Sequence, residues 1–209
     1  MDRLDAVELL EDPSLPEEVV AKAYLDLART QRLLGNSAAI FRRLGHRPGR
    51  VLDIGCGQGA LLEQIQKRLA ADVIGFDLRP TPSPAVRILT GNAAVDPLPQ
   101  ADVALAVCLI HHLSEPDVVN LIRNVSKSCR RLILLDLVRH WIPLTLFRVF
   151  VSPFLHRINA ADGLTSIKRS YTPQELRALV DEAVNGSNPR IVHTVAPFRI
   201  RQIVEIHWD

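Results

Sequence analysis

The stretch from Val51 to Leu61, V-L-D-I-G-C-G-Q-G-A-L, restricts the fold more than any other part of the chain. Val51, Leu52 and Ile54 supply a short apolar strand, Gly55, Gly57 and Gly59 follow at once, and Leu61, Ile65 and Leu69 then recur at helical spacing. A strand that turns sharply into a helix exposes the first amides of that helix, and glycine lets a polar ligand approach the backbone without meeting a Cβ. The stretch predicts a nucleotide-sized pocket.

Gly55-x-Gly57-x-x-Ala60 satisfies the looser dinucleotide fingerprint of phosphate-binding sheets. The fuller pattern is D-x-G-x-G-x-G, with Asp53 at the end of the strand. A carboxylate there repels a pyrophosphate and suits an amino-acid ammonium, directly or through the turn amides. With this motif the chain resembles the class I S-adenosylmethionine (SAM) methyltransferases. The resemblance implies SAM as cofactor and S-adenosylhomocysteine as product, with Asp53, Gly55, Cys56 and Gly57 around the methionine end.

Composition narrows the partners. The chain has 209 residues, 47% hydrophobic and 23% charged, which suits one α/β domain with attachments. A formal charge of +2 argues against a long phosphate-tracking surface, and no nucleic-acid partner is expected. Cys56, Cys108 and Cys129 form no C-x-x-C pair, so neither a disulfide framework nor a metal site is expected. No secretory pattern opens the sequence and no apolar run is long enough to span a bilayer, which predicts a cytoplasmic protein.

Residues 1–50 read as a helical preface lying over the carboxyl end of the sheet, a lid. Arg32 and Gly35, in Q-R-L-L-G, stand where such a lid would meet the cofactor; Arg32 pairs with its carboxylate or is a solvated arginine on a helix face. After the first helix, Val73, Ile74 and Phe76 make a second strand ending at Asp77, an acid able to accept both ribose hydroxyls, with Leu78 beside it. Pro80, Pro82 and Pro84 then exclude a regular helix and predict an extended strap. Val86 to Leu89 is the third strand, and Gly91-Asn92-Ala93 follows where methyltransferases carry G-D-A. Asn92 there can accept from an adenine amino group, and the backbone of Ala93 serves the ring. Asp96-Pro97-Leu98-Pro99 lacks the N/D-P-P-Y pattern of enzymes that methylate nucleic-acid bases.

The fourth strand, Asp102 to Ile110, is apolar almost throughout and leads into His111-His112-Leu113, with Cys108 as a small wall residue near the methionine end. The L-I-H-H-L-S run is similar to the segment after the fourth strand in methyltransferases of the ubiquinone and menaquinone type. Either histidine can act as general base, or pack as a hydrogen-bonded structural residue. Arg131 to Leu137 is the fifth strand, and His140 just beyond it is a further candidate base. Residues 138–171 form an insertion in which Trp141, Phe147, Phe150 and Phe154 accompany Arg148, His156 and Arg157. It is expected to roof a pocket for a flat or greasy substrate. An amphipathic segment in weak contact with a membrane surface would look similar, although Pro143 and Pro153 interrupt it.

Thr172-Pro173-Gln174-Glu175 is a capping box, and a closing hairpin follows over Ile191 to Ile206. The fold expected is an α/β, Rossmann-like seven-stranded sheet of order 3-2-1-4-5-7-6 with the last strand antiparallel. A lid over 1–50, a SAM-binding domain over 51–209 and the insertion at 138–171 complete it. The chain is also similar to small bacterial methyltransferases found beside polyketide pathways, which implies O-methylation of a phenol or quinol in secondary metabolism by a monomer or homodimer. Two other readings stand. A nicotinamide oxidoreductase shares the loop and Asp77, although neither Tyr24 nor Tyr171 has a lysine four places on. A SAM-fold protein without catalysis, serving as a binding partner, is the second.

Overall fold

Seven strands form one sheet in the order β3-β2-β1-β4-β5-β7-β6. They are β1 (Arg50–Ile54), β2 (Asp72–Asp77), β3 (Ile88–Thr90), β4 (Ala101–Val107), β5 (Cys129–Asp136), β6 (Arg190–Val195) and β7 (Gln202–His207). The first five run parallel and β7 enters antiparallel between β5 and β6, as the sequence predicts. The computed structural model describes residues 1–11, 15–16, 18–19, 23, 26, 30, 34–79 and 85–208.

The strands are apolar at consecutive positions because both faces of the sheet are covered. Leu52, Ile54, Ala104, Ala106, Leu132 and Leu134 point to one face, against α3 (Glu115–Ser126) and α6 (Pro173–Ala183). Val51, Val103, Leu105, Ile133 and Leu135 point to the other, against α1 (Asn36–Leu44) and α2 (Ala60–Leu69). Side chains alternate across a strand, so each successive residue feeds a different core. Ser114 caps α3, and Thr172 with Glu175 completes the capping box of α6. At the start of α2, Gly59 has φ +76°, and a Cβ there would lie 2.5 Å from Val86 Cγ2; only glycine permits that approach.

Two strand boundaries differ from expectation. Val86 packs on α2 and the third strand starts at Ile88. The fourth strand ends at Val107, because Cys108 adopts φ +53° and breaks the extended chain before the short turn Ile110–His112. The proline strap at 80–84 lies outside the described residues, as do Val20, Tyr24 and Leu27 of the expected N-terminal helix.

After β5 come α4 (Trp141–Leu146), a widened turn at Phe147–Val151, a tight turn at Ser152–Phe154 and α5 (Arg157–Arg169). The extreme N-terminus is laced to α5. Asp162 accepts the backbone N–H of Leu9 at 2.7 Å and of Leu10 at 3.0 Å. Leu4 N–H donates to Lys168 O at 3.1 Å, and Arg3 donates to Arg169 O at 2.7 Å while its guanidinium lies 4.0 Å from the Tyr171 ring centre. Arg139, buried and paired with Glu175, donates to Met1 O at 2.9 Å. Among the described residues no helix is long and apolar enough to cross a membrane.

Candidate functional site

A cleft of about 680 Å³ opens at the carboxyl ends of β1, β2 and β4, where an open α/β sheet binds ligands. Asp53, Gly55, Cys56, Gly57, Asp77, Leu78, Asn92, Ala93, Cys108 and His112 of the sequence-derived set all line it. The parallel register explains the grouping. Asp53 pairs with Gly75 of β2 and Leu105 of β4, so the β1 acid, the β2 acid and the strained Cys108 emerge along one edge.

One end of the cleft is acidic. Asp53 is buried, and desolvation, followed by the nearby charge of Asp77, pushes its carboxyl up to about 8. Asp77 accepts Gly57 N–H through Oδ2 and Arg79 N–H through Oδ1, both at 2.8 Å, which folds it against the glycine turn. Burial also raises the Cys56 thiol well above its ordinary range, so it stays protonated and is no nucleophile. Farther along, Asn92 Oδ1 accepts Ala94 N–H at 3.0 Å and Asn92 N–H donates to Asp96 Oδ2 at 2.7 Å, which sets the turn that presents Ala93.

The two histidines separate in role. His111 is only 2% exposed and does not line the cleft. Its Nδ1 is 2.7 Å from Asp136 Oδ1, and its backbone N–H donates to Asp136 Oδ2 at 3.0 Å. Burial alone would lower its pKa; the carboxylates of Asp136 and Glu8 outweigh that and hold it above the usual imidazole range. His112 is half-buried, faces the cleft, and sits with its ring 4.1 Å from that of His111.

Glu8, which sequence reasoning missed, reaches both. Its Oε1 is 3.7 Å from His111 Nε2, 4.0 Å from His112 Nε2, and accepts Ser166 Oγ at 2.6 Å. Burial raises its pKa, in part offset by His111 and Ser166. The ligating atoms of Glu8, His111 and His112 lie within 4.8 Å of one another. At 3.7 and 4.0 Å the carboxylate is beyond hydrogen-bond distance of either imidazole and acts on both through its charge.

Other expected residues lie elsewhere. Arg32 is outside the described residues. Gly35 ends the preface at φ +75° and does not line the cleft; the neighbouring Asn36 does, held by Arg201, which donates to Leu34 O at 2.6 Å and Asn36 Oδ1 at 2.7 Å. His140 also lies off the cleft lining, and its Nδ1 accepts Ile142 N–H at 3.2 Å as the cap of α4. Trp141, Phe150 and Phe154 are not among the described residues that line the cleft. They are 65%, 67% and 85% exposed, and none of residues 138–171 lines the cleft.

Residues 27–182 match the family profile described as a methyltransferase domain. The chain belongs to that family. Solved methyltransferases share its fold. Human N-acetylserotonin methyltransferase, in complex with SAM, is 16% identical with a TM-score of 0.61, over 87% of this chain and 53% of that one. An O-methyltransferase family 2 protein from Planctomyces limnophilus, in complex with apigenin, is 17% identical with a TM-score of 0.62, over 95% and 64%. The methyltransferase of calicheamicin biosynthesis with S-adenosylhomocysteine bound is 20% identical with a TM-score of 0.58, over 92% and 58%. The chain therefore spans between half and two thirds of these neighbours' lengths. No significantly similar sequence was found among curated proteins.

The methyltransferase-domain cleft fits the cofactor that the family implies. Two carboxylates at one end, Asp53 driven up by burial beside Asp77, call for a cation and would oppose a diphosphate. SAM brings an ammonium and a sulfonium; a nicotinamide dinucleotide brings two phosphates.

Proposed function

We propose that this chain transfers a methyl group from SAM to a small hydrophobic or aromatic molecule, at the oxygen of a phenol or quinol. The observation that carries the reading is the pairing, within one cleft, of an acidic cation-holding end with a cleft-facing histidine backed by a buried carboxylate. When bound, SAM supplies a methyl that is already electrophilic, so the protein has to align two reactants and exclude water.

Asp53 and the glycine turn hold the methionine end, Asp77 the ribose diol, and Asn92 with Ala93 the adenine. His112 takes the proton of the acceptor hydroxyl, and Glu8, with Oε1 4.0 Å from His112 Nε2, supplies the counter-charge for the imidazolium that results. A phenol near pKa 10 gives up its proton readily to such a pair only when methyl transfer consumes the oxyanion, which keeps the base step coupled to alignment. His111, fixed by Asp136, orients both its neighbour and Glu8 and does not face the cleft.

The test is methyl transfer from SAM to a panel of phenols and quinols, followed by mass. His112→Ala should lower kcat by about 10²-fold with SAM affinity unchanged. Glu8→Gln should lower kcat and shift the acid limb of the pH profile downward, because the imidazolium loses its counter-charge. Full activity in His112→Ala would remove that residue as the base. Tight binding of a nicotinamide dinucleotide in place of SAM would overturn the whole reading.

A further inference from the structure

Three of the four aromatic side chains after β5 that sequence patterning assigns to a pocket, Trp141, Phe150 and Phe154, face solvent instead. The widened turn at Phe147–Val151 divides them. Phe147 turns inward over Gly163, where a Cβ would lie 2.2 Å from its ring, while Val149 and Phe150 turn outward. Trp141 on α4 and Phe154 on the following turn are exposed as well. The β6–β7 turn, Pro197–Arg199, packs against α4 and adds Phe198, 70% exposed. Phe198 and Arg199 both hold positive φ, +56° and +55°, a conformation that a bulky side chain adopts only when something is gained from its placement.

The two segments that carry this patch are basic. No aspartate or glutamate occurs between Asp136 and Asp162, and none occurs in the turn from Ala196 to Arg201. Arg148, His156, Arg157 and Arg199 are all exposed there. Large aromatic groups fringed by arginine, on a short amphipathic segment, are the signature of an element that lies in a lipid headgroup region. A two-fold contact centred on the patch would set these arginines against one another.

Register places the patch at the edge where the cleft opens. Asp136, Gln202 and Val195 are aligned across β5, β7 and β6, so α4 and the β6–β7 turn both leave the sheet on the side of Asp53, Asp77 and the histidines. Arg201 ties that turn to Asn36 of the cleft wall. We propose that Trp141, Phe150, Phe154 and Phe198, with Arg148, Arg157 and Arg199, dock this protein on an anionic membrane surface with the cleft beside the bilayer.

The experiment is co-sedimentation of the full chain with vesicles of phosphatidylcholine alone and with roughly one third phosphatidylserine. The protein should pellet with the anionic vesicles, less at about 0.5 M NaCl, and little with the neutral ones. Phe150→Ser with Phe154→Ser should cut the bound fraction roughly tenfold while SAM binding and the melting temperature stay as in the wild type. Arg148→Glu with Arg157→Glu should abolish the preference for anionic lipid. Absence of wild-type binding to anionic vesicles, or undiminished binding by the double serine variant, overturns the proposal. So does a wild-type dimer that the serine variant dissolves, since the patch would then face another copy. None of these readings uses an acceptor, so they stand or fall apart from the methyl-transfer assay.

Discussion

Asp53→Asn is expected to make the ligand-free protein more stable while destroying its hold on SAM. The Asp53 carboxyl rises from 3.8 to about 8 on folding, first through desolvation and then through Asp77. Between those values the folded chain binds a proton that the unfolded chain has released, so stability falls as pH rises through the window and levels off above pH 8. At pH 7 the separation from 3.8 corresponds to about 4 kcal/mol at full weight; water in the open cleft screens part of it, leaving roughly 2 kcal/mol. Asparagine does not titrate and escapes that cost. For a chain of this size, roughly 2 kcal/mol is a rise of about 4–8 °C in Tm. Thermal melts of both proteins without SAM, from about pH 5 to pH 8.5, should show the gap widening with pH. Adding SAM should raise the wild-type Tm and leave the variant where it was. A variant melting at or below the wild type at pH 8, or a gap that does not grow with pH, would refute the reasoning.

Asp136→Ala removes the carboxylate hydrogen-bonded to His111 and leaves a buried imidazole whose charged form keeps the more distant Glu8 as partner. The loss should be about 3–5 kcal/mol in urea unfolding at pH 6, and a change under about 1 kcal/mol would show that the pair is not coupled. Dialysis against EDTA should leave both methyl transfer and Tm unchanged, since the methyl of SAM is already electrophilic and its transfer calls on no metal. A severalfold drop restored by a divalent cation would reverse that assignment.

The sheet was legible because its strands are buried on both faces and read as apolar runs between sharp turns. The β1 motif carried the acid, the glycines and the helix start in one continuous stretch, so most cofactor-side residues came with it. What was not legible depends on packing between distant segments. Glu8 looks like one more acid on a short amphipathic turn, and only the docking of the N-terminus on α5 brings it to the histidine pair. His111 and His112 are adjacent in sequence, yet a single short turn sends one to Asp136 and the other to the cleft. Periodicity marks Phe147, Phe150 and Phe154 as equivalent; a turn one residue wider than an α-helix makes them unequal. His140 and His156 share a role that no motif reveals, each accepting an N–H at the start of a helix.

The lacing of the first residues to α5 has an experimental corollary. Arg3, Leu4, Leu9 and Leu10 are all hydrogen-bonded there, and the Met1 carbonyl is gripped by a buried arginine. Glu8 is therefore held in place by anchors both upstream and downstream of it. Deleting the residues ahead of Glu8 would release the upstream anchors and yield a folded, cofactor-binding preparation that turns over poorly.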